Sequence, residues 1–270
     1  MSEMIDAHCT HLRYRGRSEN TIRDAAKLLR RLDRELPAGL PVATLPELEA
    51  WLAHNPNWSA QTRETYRLHM VRFFRWAVRP SDPWVDDDQC TKLEPITVPA
   101  SLPRPALTEH VRAACTQLPT PWRYHCILAA YAGLRPCEIA RLRREDVTEQ
   151  VMYVMRGKGG KRRAVPTHPV IWTAVAPLRP GLITYRHSGA TVTPAWVSQR
   201  TADQLHKHDL PITLYNLRHW FATRVQEGQG DLRVTQELMG HSSPNTTSIY
   251  TQVVNSRGRA AVATLPRLVD

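Results

Sequence analysis

Residues 131–142 read YAGLRPCEIARL, and the fold of the surrounding chain turns on how the backbone passes through them. The stretch from Pro121 to Ala132 upstream is mostly apolar and reads as a helix. Gly133 stands where a helix ends in a left-handed turn. Pro136 suits the first position of a second helix, with Glu138 in its first turn. Arg135 is left at the elbow, beside backbone N–H groups and the positive end of a helix dipole. Two sources of positive charge at one point predict an anion site. Taken alone, a surface arginine at a helix elbow accounts for the same residues.

The 270 residues carry a formal net charge of +11 and are 42% hydrophobic. That length fits one large domain or two modest ones, and the charge favours a polyanionic partner, either nucleic acid or an acidic membrane surface. The cations are skewed, 31 arginines against five lysines. GC-rich codons give such a bias, but the physical consequence stands, because a guanidinium grips phosphate with two parallel hydrogen bonds. Cys9, Cys90, Cys115, Cys126 and Cys137 are odd in number and scattered, which supports neither a disulfide framework nor a zinc site. His206 and His208 form a close pair that reads as a solvated loop. No apolar core of signal-peptide length opens the chain and no run of 18 apolar residues occurs. A reduced, cytoplasmic protein is expected.

ITVPASLPRPALT holds Pro99, Pro103 and Pro105, with Pro95 just upstream. Such proline density suits an extended linker and not an element interior, giving an expected division into 1–95, a linker at 96–106, and 107–270. The first part reads as helical. Ser18 is a candidate N-cap before Ile22, Ala25, Leu29 and Leu32 on one stripe, with Arg23, Lys27, Arg30 and Arg34 opposite. PELEAWLAHN gives a short second helix. SAQTRETYRLHMVRFFRWAV gives a long third, with Tyr66, Met70, Phe73 and Ala77 buried, Arg63 and Arg67 on one exposed strip, and Arg72, Arg75 and Arg79 on another. Helices sharing one sign of charge form a candidate DNA-facing surface; a solvated basic face is the plainer account. The second part is mixed. Thr108 caps a helix through Cys115, and the elbow follows. VMYVMRGKGGKRRAVP alternates like a hairpin, with one strand at 151–156, a loop at 157–161 and a second strand ending near Pro166. Helices return from Thr193, broken around 208–211 and 241–245. The expected fold class is mainly α with a small β-sheet, α+β overall.

The hairpin loop gathers Lys158, Lys161, Arg162 and Arg163 around three glycines, which permit close approach to another backbone. The spacing is not that of a nucleotide-binding phosphate loop. A lysine retained in an arginine-biased chain points to a group that must release a proton; a solvated basic turn is the alternative. In LYNLRHWFATRV, Arg218 and His219 stand early in an amphipathic helix, and a half-buried arginine there needs a carboxylate or a phosphate. In ELMGHSSPNTTSIYTQV, Gly240 breaks a helix, His241 sits on the break, and Tyr250 follows nine residues later; by itself Tyr250 reads equally as core.

As a set, Arg135 in AGLRPCE, Lys158 in the glycine-rich turn, Arg218 in YNLRH, His241 in LMGHSS and Tyr250 in TTSIYT resemble the tyrosine recombinase (phage integrase) family in order, context and separation. The resemblance covers essentially the whole chain. It implies a helical N-terminal domain that binds DNA core sites and a mixed catalytic domain. It also implies cleavage of one DNA strand by tyrosine, through a 3′-phosphotyrosyl link, with no metal or nucleotide cofactor. In that scheme Arg135 and Arg218 clamp the charge of the pentavalent transition state, Lys158 protonates the departing 5′ oxygen, His241 hydrogen-bonds a non-bridging oxygen, and Tyr250 is the nucleophile. Glu138, with His219, is a support for the active-site side chains. Arg63, Arg67, Arg75, Lys161, Arg162 and Arg163 are candidate DNA contacts. One position departs from the family: a histidine usually stands three residues before the second arginine, and here that place is Tyr215. A tyrosine donates to phosphate but is a poor base near neutrality, and its hydroxyl rivals that of Tyr250; the family pattern favours Tyr250.

The implied partners are double-stranded DNA core-type sites, a homotetramer on two such sites, and a directionality factor as a further candidate, with no membrane, at the bacterial nucleoid. The first basic helix opens by residue 18, leaving no room before it for an arm-site-binding domain, so compact core-type sites are expected. Within the family, an integrase of a phage or mobile element is favoured by the atypical Tyr215. The alternatives are a chromosome-dimer-resolving recombinase, a type IB topoisomerase-like enzyme, and a cleavage-deficient DNA-binding relative. In the family, a tail like GRAAVATLPRLVD packs onto a neighbouring protomer. Phosphate contacts predict binding that weakens steeply with salt.

Overall fold

The computed structural model describes residues 2–79, 83–99, 104–154, 163–186, 191–229, 232–240 and 256–268. The chain forms two compact units, Met1–Ser101 and Leu102–Asp270. Lys158, Lys161, Arg162, His241 and Tyr250 lie outside the described residues.

The first unit is helical: α1 (Ser2–Tyr14), α2 (Glu19–Glu35), α3 (Leu45–His54) and α4 (Ala60–Ala77). Ser18 Oγ accepts from the Thr21 N–H at 3.2 Å and Ser59 Oγ from the Thr62 N–H at 3.1 Å, so serines start α2 and α4. Ile22, Ala25, Leu29 and Leu32 are buried, as their spacing predicts. Ile22, Leu29 and Leu32 meet Ile5 of α1, Leu48 of α3 and Met70, Phe73 and Phe74 of α4 in one core. The polar residues of α1 hide its buried pair Met4–Ile5 from the apolar pattern of the sequence.

Arg67 corrects the expectation of a basic outer strip on α4. Its Nε and Nη2 donate to the Glu64 carboxylate at 2.7 and 2.8 Å, and its Nη1 donates to the Leu93 carbonyl at 3.0 Å. The Ile96 N–H donates to the same carboxylate at 3.0 Å. The segment leaving this unit therefore lies over the strip, and Arg67 is buried beneath it. Arg63 is half-buried, whereas Arg72, Arg75 and Arg79 are exposed.

The second unit is built on α6 (Trp122–Ala132), buried on all sides from His125 onward. Around it pack α5 (Thr108–Thr116), α8 (Pro169–Val175), α9 (Pro194–Lys207) and α10 (Leu214–Gln229). Thr108 is not the cap of α5; Leu107 holds that position, and the Thr108 hydroxyl accepts from Trp220 Nε1 and Arg224 Nη2. Strands β1 (Val151–Val154) and β2 (Arg163–Pro166) pair antiparallel, Val151 opposite Pro166 and Val154 opposite Arg163. Met152 and Val165 face the core while Tyr153 is exposed, the alternation the sequence predicts. The short helices α7 (Pro136–Ile139) and α11 (Leu232–Met239), with α12 (Ser256–Ala263), complete the unit.

A buried polar triad ties α6 to its neighbours. His125 Nδ1 and Nε2 contact the hydroxyls of Thr201 at 2.7 Å and Thr184 at 3.0 Å. The Thr201 hydroxyl donates to the Val197 carbonyl, so it accepts from Nδ1–H, and Nε2 accepts from Thr184. Burial holds the ring down at about 4, which leaves it neutral at pH 7 and so consistent with Nε2 as the acceptor. The tail packs on its own unit: Ala261, Val262 and Leu265 are buried, and Tyr131 donates to the Pro266 carbonyl at 3.0 Å. The expected seat of such a tail was a neighbouring protomer; here apolar side chains find cover within the chain.

Candidate active site

Gly133 ends α6 in the left-handed region, φ 61° and ψ 30°. Two constraints select glycine: a Cβ there would be strained by the backbone and would lie 2.7 Å from the Phe221 ring and 3.0 Å from the Met239 sulfur. The turn delivers Arg135 directly before α7. Glu138 then folds back, its carboxylate accepting from the Arg135 N–H at 2.8 Å and from Arg135 Nη1 at 3.3 Å. This corrects the dipole argument for an anion site, since α7 has only four residues and Glu138 caps its start. Positive charge at this point comes from side chains.

Two guanidiniums, those of Arg135 and Arg163, pair with that carboxylate, and a third, Arg218, lies close enough to feel its charge. Arg163 pairs with it through both terminal nitrogens, at 2.5 and 3.0 Å. Arg218 is buried at the start of α10 and donates from Nη1 to the Gly133 carbonyl and from Nη2 to the Met239 carbonyl at 2.6 Å. Arg135 Nη2 donates to the Gly240 carbonyl at 3.2 Å, and Arg163 Nε to the Leu238 carbonyl at 3.1 Å. The last carbonyls of a helix lack intrahelical partners, and here those of residues 238, 239 and 240 each receive one arginine. A guanidinium has five N–H donors, so these bonds occupy part of each fork and fix its direction.

The charge states follow from the packing. Burial raises the Glu138 carboxyl, but the bonds from Arg163 and the charges of Arg163 and Arg135 outweigh it and hold the group below the usual carboxylate range. Burial, then the guanidiniums of Arg135 and Arg163, pushes Arg218 down to about 9, which leaves it cationic at neutral pH. Three cations against one carboxylate leave the pocket positive. The Arg135 side chain, 20% exposed, is the member that reaches solvent.

Tyr215 and His219 form a separate pair one turn apart at the start of α10, their rings edge to face at 4.2 Å. Tyr215 is 68% exposed, and His219 is half-buried, its imidazole lowered by burial and then by Arg218. The structure thus brings Arg135, Glu138 and Arg218 together. It removes Arg163 from the DNA-facing candidates, because the residue is buried in an ion pair. The strand pattern carried the signal: Arg163 shares a face with buried Val165, two residues on.

Among curated proteins, the tyrosine recombinase XerA of Thermococcus onnurineus (strain NA1) is 30% identical over 280 residues, covering 97% of this chain and 94% of the relative. The integrase of mycobacterium phage Brujita has a TM-score of 0.55 and 27% identity over 98% of this chain and 93% of its own. A lambda integrase (75–356) dimer bound to a COC′ core site has a TM-score of 0.71 and 20% identity, over 93% and 98% of the two chains, and shares the fold. The class is that of the tyrosine recombinases, enzymes that exchange DNA strands. Residues 106–257 match the model of the phage integrase family, and the chain belongs to that family.

Proposed function

We propose that the protein is a site-specific recombinase of a phage or mobile element that cuts and rejoins double-stranded DNA through a 3′-phosphotyrosyl intermediate at Tyr250. The observation that carries the reading is the meeting of Arg135 and Arg218, 83 positions apart in sequence, beside Glu138 and on the carbonyls of Gly240 and Met239. The Tyr250 oxygen bonds to the phosphorus while the bond to the 5′ oxygen breaks, and Lys158 supplies the proton to that oxygen. A partner 5′-hydroxyl reverses the step. Arg135 and Arg218 hold the extra charge of the pentavalent state, where loss of one such donor costs about 3 kcal/mol. His241 bonds a non-bridging oxygen. Tyrosine loses its proton near pH 10 when free, so the positive pocket lowers the barrier to its ionisation. Tyr215 takes the place of the family histidine as a hydrogen-bond donor to the phosphate, with His219 packed against it.

In this reading residues 1–95 grip the core site, 96–106 link, and 107–270 catalyse. Two core sites are bound by a homotetramer, and a directionality factor is the candidate accessory partner. Arg75, Lys161 and Arg162 contact the DNA backbone. A second reading, a chromosome-dimer-resolving recombinase, is favoured by the near full-length likeness to XerA.

A nicked suicide duplex tests the chemistry. Covalent protein–DNA adduct that vanishes in Tyr250→Phe is the expected result. Persistence of adduct in that variant, with loss in Tyr215→Phe, would move the nucleophile. No adduct from any variant would leave a DNA-binding relative, and relaxation of site-free supercoiled plasmid would indicate a topoisomerase. Recombination between two directly repeated sites on one plasmid, set against integration of a second circle, separates resolvase from integrase.

A further inference from the structure

The basic hairpin invites the view that all its cations face DNA, yet Arg163 does something different. Its side chain is 8% exposed and the carboxylate it meets is fully buried. It touches three elements at once: it belongs to β2, pairs with Glu138 of α7, and donates to the Leu238 carbonyl of α11. The approach is so close that a Cβ at Gly240, where φ is 62°, would lie 2.9 Å from Arg163 Nη1. Glycine there serves both the left-handed turn and the guanidinium. Neither Arg135 nor Arg218 contacts α11 through its own side of the pocket alone: each leans on a carbonyl, at Gly240 or Met239, whose position depends on the end of α11.

We infer that Arg163 is a positioning residue for strand cleavage, locking the α7 turn to the end of α11 so that Arg135 and Arg218 form one phosphate clamp. The inference rests on the recombinase reading. A lysine cannot replace it in full, because an ammonium is a point charge and cannot give two parallel bonds to Glu138 while a third donor reaches Leu238.

Arg163 also has a charge role that separates positioning from simple structural support. Glu138 is faced by Arg135 from its own turn, Arg163 from β2 and Arg218 from α10. α6 presents His125 to threonines, α9 carries Arg200, Asp203 and Lys207 on its exposed side, and Arg233 and Glu237 of α11 are exposed. Without Arg163, burial acts on Glu138 with its main counter-ion gone, and its proton is released at higher pH. The clamp requires the carboxylate, so activity is then present above that raised value and lost below it.

The test is single-turnover cleavage of the nicked duplex by the full chain between pH 5.5 and 8.5, with DNA affinity and thermal melting measured alongside. Wild type is expected to show no acid limb from Glu138. Arg163→Met should cleave about 100-fold more slowly at neutral pH, the scale of a misplacement near 1 Å, with DNA affinity kept and a new limb in which the rate climbs as pH rises. Arg163→Lys should cleave slowly but without the limb, since it keeps Glu138 ionised. The limb should vanish in Arg163→Met combined with Glu138→Gln. A folded Arg163→Met enzyme with wild-type rate and profile overturns the inference. Should that variant not fold, Arg163→Lys decides, and wild-type cleavage by it overturns the inference equally. Absence of adduct from the wild type would instead strike at the recombinase reading.

Discussion

Replacing Gly133 by alanine tests the elbow from which the site is built, and its cost divides into two parts that can be measured separately. The backbone at φ 61° and ψ 30° is left-handed, which costs a residue with a Cβ about 1–2 kcal/mol. The added methyl would also lie 2.7 Å from the Phe221 ring. Phe221 is fully buried and cannot swing aside, so overpacking adds about 1–3 kcal/mol. Gly133→Ala should therefore lower the stability of the second unit by about 2–5 kcal/mol, or at least about 30-fold in an opening equilibrium. The assay is native-state hydrogen exchange at the amides of α6, which open only with the unit as a whole. Phe221→Leu provides the second corner of a cycle, since it removes the ring the methyl meets. The double variant should be more stable than the sum of the single losses predicts, by about 1–3 kcal/mol. The backbone part should persist. A coupling near zero would refute the steric half of the reasoning, and unchanged α6 exchange in Gly133→Ala would refute both halves.

Four further outcomes are expected. Arg67→Ala should destabilise the first unit and leave the salt dependence of DNA binding unchanged, because the residue is buried against Glu64 and Leu93. Arg75→Ala should do the reverse, reducing the slope of log K against log salt by about 0.9. Acid should loosen the second unit through His125: held at about 4 when folded and near 6.5 when unfolded, it gives stability that is complete above pH 6.5 and is lost on the way down to pH 4. The loss is about 2 kcal/mol by pH 5, read from α6 exchange, and His125→Gln should flatten that part of the slope. Gly228→Ala should release the tail, since its Cβ would lie 2.5 Å from the Thr264 hydroxyl; faster exchange at 260–268, partly reversed by Thr264→Ala, is the check.

The class of fold was legible because its cues are local. Gly133, Pro136, the serine caps and the alternation through β2 each report a backbone state within a few residues, and each element stands where its cue lies. The convergence of Arg135, Glu138 and Arg218 was legible through family spacing; no pattern within the segments themselves brings α7 and α10 together. What the sequence could not reveal is which arginines face inward. Arg67 and Arg163 are charged residues in basic stretches, and composition places both on a surface. Their burial depends on partners 26 and 25 positions away, Leu93 and Glu138, whose approach is a property of the packed unit. α1 is hidden for a related reason, since its apolar content is too small to register until α2 and α4 supply the rest of the core.

The preference for arginine gains a physical meaning inside the site. The environment of Arg218 is severe enough to bring a guanidinium down to about 9. An ammonium starts lower, near 10.4, so the same burial and the same neighbouring cations would bring it closer to losing its charge. The pocket also asks each cation to hold a carbonyl of the α11 end while keeping donors for an anion, which needs a planar fork of five N–H groups and not three on a freely turning tip. Glu138 makes the crowding tolerable: by sitting fully buried among three guanidiniums it lets them approach one another, and by being only one carboxylate it leaves the pocket short of negative charge. A phosphodiester is the kind of group that fills that deficit, and its demand for charge grows as the phosphorus takes on a fifth oxygen. On the proposed recombinase reading, that growth in demand favours the transition state over the bound substrate, the condition for a binding site to become a catalytic one.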